Sequence, residues 1–485
     1  MCRCRTGARR ATLAEHGSTT GTDRSADQAY RRATYDGAMT RAKRVAAIAL
    51  CAVVAFGIGG QLDGKLNLPL AIGLHQRDKG SGTGSASAVP KVDEKAARVA
   101  AANDLLSARA AAVKARNKSS WMDTVDLASS AFRARQSVVF DNLIKLPLGQ
   151  FSYGVVQAAP ALSATRIAAA GPDAWAATVT GTYSLTGFDR APQSFDATYT
   201  LVHRPAGWRL SADTDGDTPL QMWDLPGLRV LAGPSSIVVG NAPEARMQEY
   251  SAVAAAAVSR VRGVWGTDWN SHVVIVTPAT RDQFAQLVSR SAGSGLDQVA
   301  AITQGVIEPG QRATGDEVVV NPDAYTALAP LGRRVVITHE LTHVAARSST
   351  VDPVPTWLTE GMADYVGYSG LDIPRQRVAS ELLVLVRAGK GPTGLPTDLN
   401  FDPSRSKIAT SYSEAWLAIC HLVDLYGQAK VVSFYRAVAA YQRTDGAPQA
   451  DPETVAASQF PRSFGVSQPQ YVESWQRYLQ TLAHA

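Results

Sequence analysis

The stretch Val335-Val-Ile-Thr-His339-Glu340-Leu-Thr-His343 carries two imidazoles and a carboxylate within little more than two helical turns. On a helix, His339 and His343 lie on the same face, so both rings can bind one metal ion, while Glu340 lies beside them. The chain has only 8 histidines in 485 residues, so a chance match to this pattern is expected in roughly one such chain in a hundred or more. The spacing therefore predicts a metal-binding helix.

A second acidic segment follows, Pro355-Thr-Trp-Leu-Thr-Glu360-Gly-Met-Ala-Asp364-Tyr365. Catalytic zinc takes three protein ligands and leaves a fourth position for water, and Glu360 completes a set of two His and one Glu. Asp364 lies one helical turn after Glu360, where it can accept a hydrogen bond from the other ring nitrogen of His339. The alternative for Asp364 is a solvent-exposed helix charge. Together the two segments predict a zinc site of the hydrolytic type.

These two motifs resemble the signature of the gluzincins, the thermolysin-like zinc peptidases with an HExxH helix and a downstream ExxxD. Among them they are most similar to the peptidase MA-like proteins of actinobacteria, which are often membrane-tethered. The resemblance implies a zinc cofactor held by His339, His343 and Glu360, with Glu340 as general base and Asp364 behind His339. The chain shows no Gly-Ala-Met-Glu-Asn segment of the aminopeptidase type upstream, so an endopeptidase is favoured. Manganese or cobalt would fit the same ligands in vitro.

Hydrolysis also needs a hydrogen-bond donor for the oxyanion, which thermolysin-like enzymes supply from a His or Tyr beyond the third zinc ligand. Tyr412 resembles a Tyr-x-x-Ala/Ser position of the peptidase MA-like proteins, so we expect it to take this catalytic role. The alternative is a tyrosine that only caps and packs its helix. His421 lies nine residues further on, on the opposite helix face, and is predicted to be a packed or surface residue.

A β-branched run precedes the motif helix and is predicted to bind the substrate. In gluzincin-like folds such a strand forms the sheet edge along the cleft, where an extended peptide can add as another strand. An ordinary core strand is the alternative. The residues expected to bind the substrate are Glu317, Val318, Val319, Val320 and Asn321.

The basic charge of the chain is confined to its N-terminus. Residues 1–44 hold ten Lys/Arg and four Asp/Glu, which accounts for the whole formal net charge of +6. The rest of the chain is neutral and has no basic footprint for nucleic acid. We therefore expect a peptide or protein substrate and no nucleic-acid partner.

An apolar run, residues 45–62, follows the basic tail and is 18 residues long. As a helix it would span about 27 Å, just enough to cross a bilayer. The positive N-terminal flank predicts a single-pass cell-membrane protein with a cytoplasmic N-terminus and an extracytoplasmic catalytic domain. The alternative is a cleaved signal peptide, which would give a secreted protein.

The remaining chain divides by composition into three parts. Residues 63–91 include a Gly- and Ser-rich linker. Residues 92–220 read as two helices followed by a strand meander, in an element order similar to that of nuclear transport factor 2 relatives. Residues 228–485 form the predicted metallopeptidase domain, with a small mixed sheet, the motif helix and a C-terminal helical subdomain. The fold class is therefore predicted to be α+β.

Two functions from different classes fit this sequence. The first is a membrane-anchored extracytoplasmic zinc metallopeptidase, because the motif set is complete and includes the base Glu340. The second is a cell-envelope binding or scaffolding protein whose peptidase fold binds metal without catalysis. The unassigned region 92–220 and the uncertain oxyanion donor keep the second hypothesis open.

Overall fold

The protein is a mixed α+β structure with two β-sheets and a helical C-terminal region, as the sequence predicts. The structure, a computed structural model, describes residues 49–52, 94–159, 161–288, 296, 299–305, 311–402, 408–440 and 451–485. The predicted basic tail, the predicted linker and most of the apolar run lie outside these residues.

The first part of the described chain contains a helical layer and an antiparallel sheet, the meander sheet, with the strand order β2-β3-β4-β5. Its strands are joined in sequence, so each pairs with its neighbour along the chain. The elements are β1 (Ala49–Ala52), α1 (Glu94–Lys114), α2 (Lys118–Met122), α3 (Ser130–Leu143), β2 (Leu148–Ala158), α4 (Ala164–Ala170), β3 (Trp175–Leu185), β4 (Gln193–Arg204) and β5 (Gly207–Ala212).

The second sheet, the site sheet, has the strand order β1-β9-β10-β8-β7-β6. Strands β7, β8 and β10 are parallel, whereas β6 and β9 run antiparallel to their neighbours. The elements are β6 (Arg229–Ala232), β7 (Ser236–Gly240), α5 (Glu244–Trp265), β8 (Val273–Thr277), α6 (Arg281–Leu287), β9 (Val299–Gln304) and β10 (Glu317–Val320).

The remaining described chain is helical, and its first two long helices carry the sequence motifs. The helices are α7 (Pro322–Ala327), α8 (Pro330–Arg347), α9 (Thr356–Tyr368), α10 (Arg375–Val378), α11 (Ser380–Arg387), α12 (Ile408–Tyr426), α13 (Gln428–Ala439), α14 (Pro452–Phe464) and α15 (Gln468–His484). Helices α8 and α9 both begin directly after a residue in extended conformation, and α8 has Pro330 in its first turn, where a missing N–H costs nothing.

The site sheet is covered on both faces. Val318 packs with residues of α5 and α8, whereas Val319, its neighbour in β10, packs on the opposite face. Successive side chains of a strand point to opposite faces, so a run of three valines serves a sheet that is buried on both sides. The continuous apolar run thus indicates an interior strand.

The prediction that Glu317 to Asn321 forms a sheet edge is wrong. Strand β10 pairs with β8 on one side and with β9 on the other. Its backbone donors and acceptors are therefore used within the sheet, and no peptide can add to it as a further strand. On this side of β10 the sheet continues through β9 to β1, which is its outermost strand.

The prediction of a single-pass membrane protein is contradicted. Within the residues that the structure describes, none of the helices combines the length and the apolar character needed to cross a bilayer. The described part of the apolar run, β1, is a strand whose backbone pairs with β9 instead of closing helical turns.

The two sheets share one hydrophobic core. Leu143 and Trp223, from the first part of the described chain, belong to the same buried cluster as Val274 and Val276 of β8. A cluster of this kind holds two layers together through apolar area removed from water, at about 25 cal/mol per Å². The meander sheet is thus joined to the site sheet by packing.

A polar contact reinforces this junction. The Tyr183 hydroxyl, from the end of β3, donates to Glu317 Oε1 at 2.5 Å, and both side chains are buried. Beside them the chain passes close to Asp189 at Gly315, where a Cβ would lie 2.3 Å from the Asp189 Oδ1 atom. Burial raises the pKa of Glu317 to about 7, against the opposing hydrogen bond from Tyr183. Burial likewise raises the pKa of Asp189 to about 6.

Because the pKa of Glu317 is raised, we expect the protein to lose stability as the pH rises. A carboxyl group whose pKa is higher in the folded state binds its proton more tightly when folded, so its contribution is present near pH 4.5 and lost towards pH 7. The free energy of unfolding of the wild type should therefore fall as the pH rises from 4.5 to 7.5. In Glu317→Gln, whose side chain is neutral at every pH, we expect this fall to be smaller by about 2 kcal/mol. Urea unfolding of the metal-free protein between pH 4.5 and 7.5 measures it.

The matched control for Glu317→Gln is Glu381→Gln, since Glu381 is exposed on α11. This variant should follow the wild-type pH dependence. The same slope in Glu317→Gln and in the wild type would contradict the assignment of the decline to Glu317.

Candidate metal centre

Helices α8 and α9 bring the predicted ligands together because small residues let them pack closely. A Cβ on Gly361 would lie 2.5 Å from the Ala415 carbonyl oxygen of α12, so α9 can approach α12 only with glycine there. At Gly367 the same helix passes Val335 of α8, and a Cβ added to this glycine would lie only 3.2 Å from the nearest Val335 atoms. The Glu-Gly-x-Ala-Asp part of the motif therefore encodes helix packing as well as acidic groups.

Three donor atoms converge between these helices. His339 Nε2 lies 2.9 Å from His343 Nε2 and 3.2 Å from Glu360 Oε2, and the third separation, His343 Nε2 to Glu360 Oε2, is 3.6 Å. A tetrahedral zinc ion with nitrogen and oxygen ligands at about 2.0 to 2.2 Å keeps such atoms about 3.3 Å apart. The measured separations lie on both sides of this value. The three side chains can therefore hold one metal ion.

The hydrogen bonding of the group also favours a cation. An ionised Asp364 can only accept a hydrogen bond, so the contact of 2.8 Å to its Oδ1 places a proton on His339 Nδ1. In neutral His339 the Nε2 atom then carries a lone pair that faces the Glu360 carboxylate in a site that is almost fully buried. Two acceptors at this distance repel each other unless a proton or a metal ion lies between them. The site thus favours a bound cation.

The ionisation of the carboxylates supports a ligand role for Glu360. Burial by itself raises its pKa, but positive charge on the imidazoles of His343 and His339, together with their hydrogen bonds, outweighs burial and lowers the pKa of Glu360 to about 2. A bound metal ion would supply that positive charge where the imidazoles are neutral. Burial raises the pKa of Glu340, opposed by the two histidines and by Thr303. Glu360 is consequently the ionised ligand of the set, and Glu340 is the carboxylate more ready to take a proton.

Glu340 is a fully buried residue of α8, directly after the ligand His339. Its two carboxylate oxygens differ in their hydrogen bonding. Glu340 Oε2 accepts a hydrogen bond of 2.5 Å from the Thr303 hydroxyl. Glu340 Oε1 is buried and has no hydrogen-bond partner among the residues that the structure describes. Nothing local in the sequence marks Thr303, which lies in the short apolar strand β9 some forty residues before Glu340.

Tyr412 lies beside the metal ligands. It is buried on α12, with its ring centroid 6.4 Å from that of His339 and 5.3 Å from that of Phe401. His421, on the opposite side of the same helix, stacks on Tyr478 and makes a 3.0 Å hydrogen bond with Ser474. The structure therefore brings Tyr412 to the site and places His421 in a separate packing contact.

The residues of β10 do not join the metal ligands. Glu317 contacts Tyr183 of the meander sheet, and Val318 to Val320 are buried in the two faces of the site sheet. Asn321 caps α7 and donates from its side-chain amide to the carbonyls of Leu296 and Val299. These residues support the sheet and its connections.

The far end of α8 is fixed by an ion pair. Arg347, one turn after His343, donates from Nε to both carboxylate oxygens of Asp316 at 3.1 Å. Its Nη2 atom donates to the Gly305 carbonyl at 2.9 Å. A planar guanidinium with a bidentate partner restricts orientation more than a lysine would. Arg347 therefore ties the metal-binding helix to the chain just after β9 and just before β10.

Comparisons with known proteins give only weak structural neighbours. No family model matches the chain, and no curated protein matches it. Among solved structures, native yeast LTA4 hydrolase aligns with a TM-score of 0.32 and 13% identity over 67% of this chain and 66% of that one. Yeast LTA4 hydrolase in complex with bestatin aligns with a TM-score of 0.28 and 15% identity over 69% and 44%.

A third neighbour is a functionally unknown conserved protein from Bacillus anthracis str. Ames. It aligns with a TM-score of 0.27 and 9% identity over 63% of this chain and 68% of that one. The aligned part spans just under two thirds and less than half of the two yeast LTA4 hydrolase chains.

Asp364→Asn tests the metal centre. The asparagine removes the charge that holds the His339 proton, so we expect zinc affinity to fall by about 10- to 100-fold. Competition with a chromogenic chelator measures this affinity. Asp372→Asn, an exposed site shortly after α9, is the control and should bind zinc like the wild type. Unchanged affinity in Asp364→Asn would contradict the role of its contact with His339.

Proposed function

We propose that this protein is a zinc-dependent metallopeptidase, a hydrolase that cleaves peptides or proteins, with zinc held by His339, His343 and Glu360. The observation that carries the proposal is the convergence of these three donor atoms beside the unpartnered Oε1 atom of Glu340. Two imidazoles and one carboxylate form a catalytic zinc set that leaves a coordination position open. A metal-binding protein without catalysis needs no buried carboxylate there.

The chemistry follows from the positions of the side chains. A zinc ion held by His339, His343 and Glu360 would lower the pKa of a water in the open position to about 7 and would polarise a substrate carbonyl. Glu340 accepts a proton from the attacking water at Oε1 and delivers it to the leaving amine, which is general acid–base catalysis by one carboxylate. Asp364 keeps the His339 proton on Nδ1, so Nε2 remains available as a ligand. The phenolic hydroxyl of Tyr412 donates a hydrogen bond to the oxyanion.

We propose that the substrate backbone pairs with β9, and not with β10 as the sequence predicted. β9 is antiparallel to β10, and its Thr303 contacts the base Glu340. The outer side of β9 is occupied by Ala49–Ala52, which pairs with it in antiparallel register with Ala49 opposite Thr303, so a substrate strand would bind there by displacing this segment. An extended peptide binds a sheet edge through the same main-chain hydrogen bonds. Such binding across the site favours cleavage within a chain.

The proposal is tested by Glu340→Gln. The amide keeps the size of the side chain but cannot take a proton, so we expect zinc content to stay at one per chain while cleavage of casein or a peptide library falls by at least about 100-fold. Metal analysis and product analysis by mass spectrometry measure the two quantities, and a chelator should abolish wild-type cleavage. Zinc without cleavage in the wild type would favour a binding or scaffolding protein. Absence of zinc would refute the site.

Tyr412→Phe tests the oxyanion donor separately. The variant keeps the ring that packs near His339 and Phe401 and removes only the hydroxyl. We expect kcat to fall by about 100-fold with KM little changed, because the hydroxyl acts on charge that develops in the transition state. A kcat within about twofold of the wild type would leave Tyr412 as a packing residue.

A further inference from the structure

We propose that Thr303 is a positioning residue that fixes the base Glu340 and determines which carboxylate oxygen takes the proton. This inference rests on the proposed function, because it assigns a role within the same catalytic site. Thr303 belongs to neither sequence motif, and it reaches Glu340 from β9.

The contact is specific in its geometry. The Thr303 hydroxyl has two acceptors on Glu340 within hydrogen-bond distance, Oε2 at 2.5 Å and the backbone oxygen at 3.1 Å, and its single hydrogen is directed to the nearer one, Oε2. Both residues are 0% exposed, so no bulk water competes for the carboxylate. A hydrogen bond to a charged acceptor is roughly twice as strong as a neutral one. The contact therefore holds Oε2 in one place relative to β9.

The second carboxylate oxygen of Glu340, Oε1, has a different environment. Glu340 Oε1 is buried without a partner, and leaving a buried acceptor unsatisfied costs about 1 to 3 kcal/mol. A buried acceptor without a partner can take a hydrogen bond or a proton from a donor that enters the site. With Oε2 held by Thr303, Glu340 presents Oε1 as the atom that faces the attacking water.

The strand fixes Thr303 in turn. Thr303 lies opposite Val318 of β10, and Ala301, two residues earlier, packs in the same cluster as Leu341 of α8. Residues two apart on a strand share a face, so the hydroxyl is directed at α8 by the register of the sheet. A β-branched side chain also has few χ1 rotamers, which limits the movement of the hydroxyl. Thr303 thus transmits the rigidity of the sheet to a flexible glutamate.

The kinetic test compares Thr303→Val, which replaces the hydroxyl by a methyl group, with Thr303→Ser, which keeps it. We expect Thr303→Val to lower kcat by about 10- to 100-fold with KM unchanged, because a misplaced base costs rate and not binding. Thr303→Ser should recover most of the wild-type kcat, and both variants should retain one zinc per chain. The control is Thr277→Val, a buried threonine at the end of β8 that contacts the Val239 carbonyl.

A second test needs no activity. In the metal-free protein we expect Thr303→Val to lower the urea midpoint of unfolding, because the Glu340 carboxylate loses its donor. In a Glu340→Ala background the same change should have a smaller effect, because only the contact with the backbone oxygen of residue 340 remains to be lost, and this non-additivity isolates the side-chain contact. An equal midpoint shift in both backgrounds would reduce Thr303 to a packing role.

The outcomes separate the two proposals. An unchanged kcat in Thr303→Val, or a kcat in Thr303→Ser as low as that in Thr303→Val, overturns the positioning role while the peptidase stands. A wild type that binds zinc and cleaves nothing overturns the proposed function and the catalytic role of Thr303 with it. In that case the urea cycle still decides whether Thr303 and Glu340 interact.

Discussion

The close packing of α8 and α9 is the constraint on which the candidate site depends. Gly361 allows α9 to lie directly against α12, and Gly367 allows it to pass Val335 of α8. With the helices at this separation, two imidazoles and a carboxylate meet in a buried place with more lone pairs than protons. A cation relieves that repulsion, so helix packing and metal binding support each other.

The metal ligands were predictable from sequence because they depend on local spacing. His339 and His343 are four residues apart on one helix, and so are Glu360 and Asp364 on the next, which fixes their directions without knowledge of the fold. Thr303 was not predictable, because its contact with Glu340 arises only when β9 packs against α8. Sequence also could not decide whether the valine run of β10 is an edge or an interior strand, since both are apolar.

The N-terminal half shows the same limit in another form. The two helices and the strand meander predicted within residues 92–220 are present as α1, α3 and the meander sheet. The apolar length of residues 45–62 suggested a membrane span, yet Ala49–Ala52 pairs with β9 as a strand. Hydropathy measures the cost of exposure to water and does not distinguish a lipid from a sheet as the place of burial.

The shared core between the two sheets changes what counts as the functional unit of this chain. Both sequence motifs lie in the C-terminal half, so a truncated version starting near Arg229 would carry every metal ligand. It would also strip Leu143 and Trp223 from the face of the site sheet on which Val274 and Val276 lie. An uncovered apolar face of that kind promotes aggregation. Fusing the C-terminal half alone to another protein would therefore transfer the metal ligands without the packing of the N-terminal half that stabilises the site sheet.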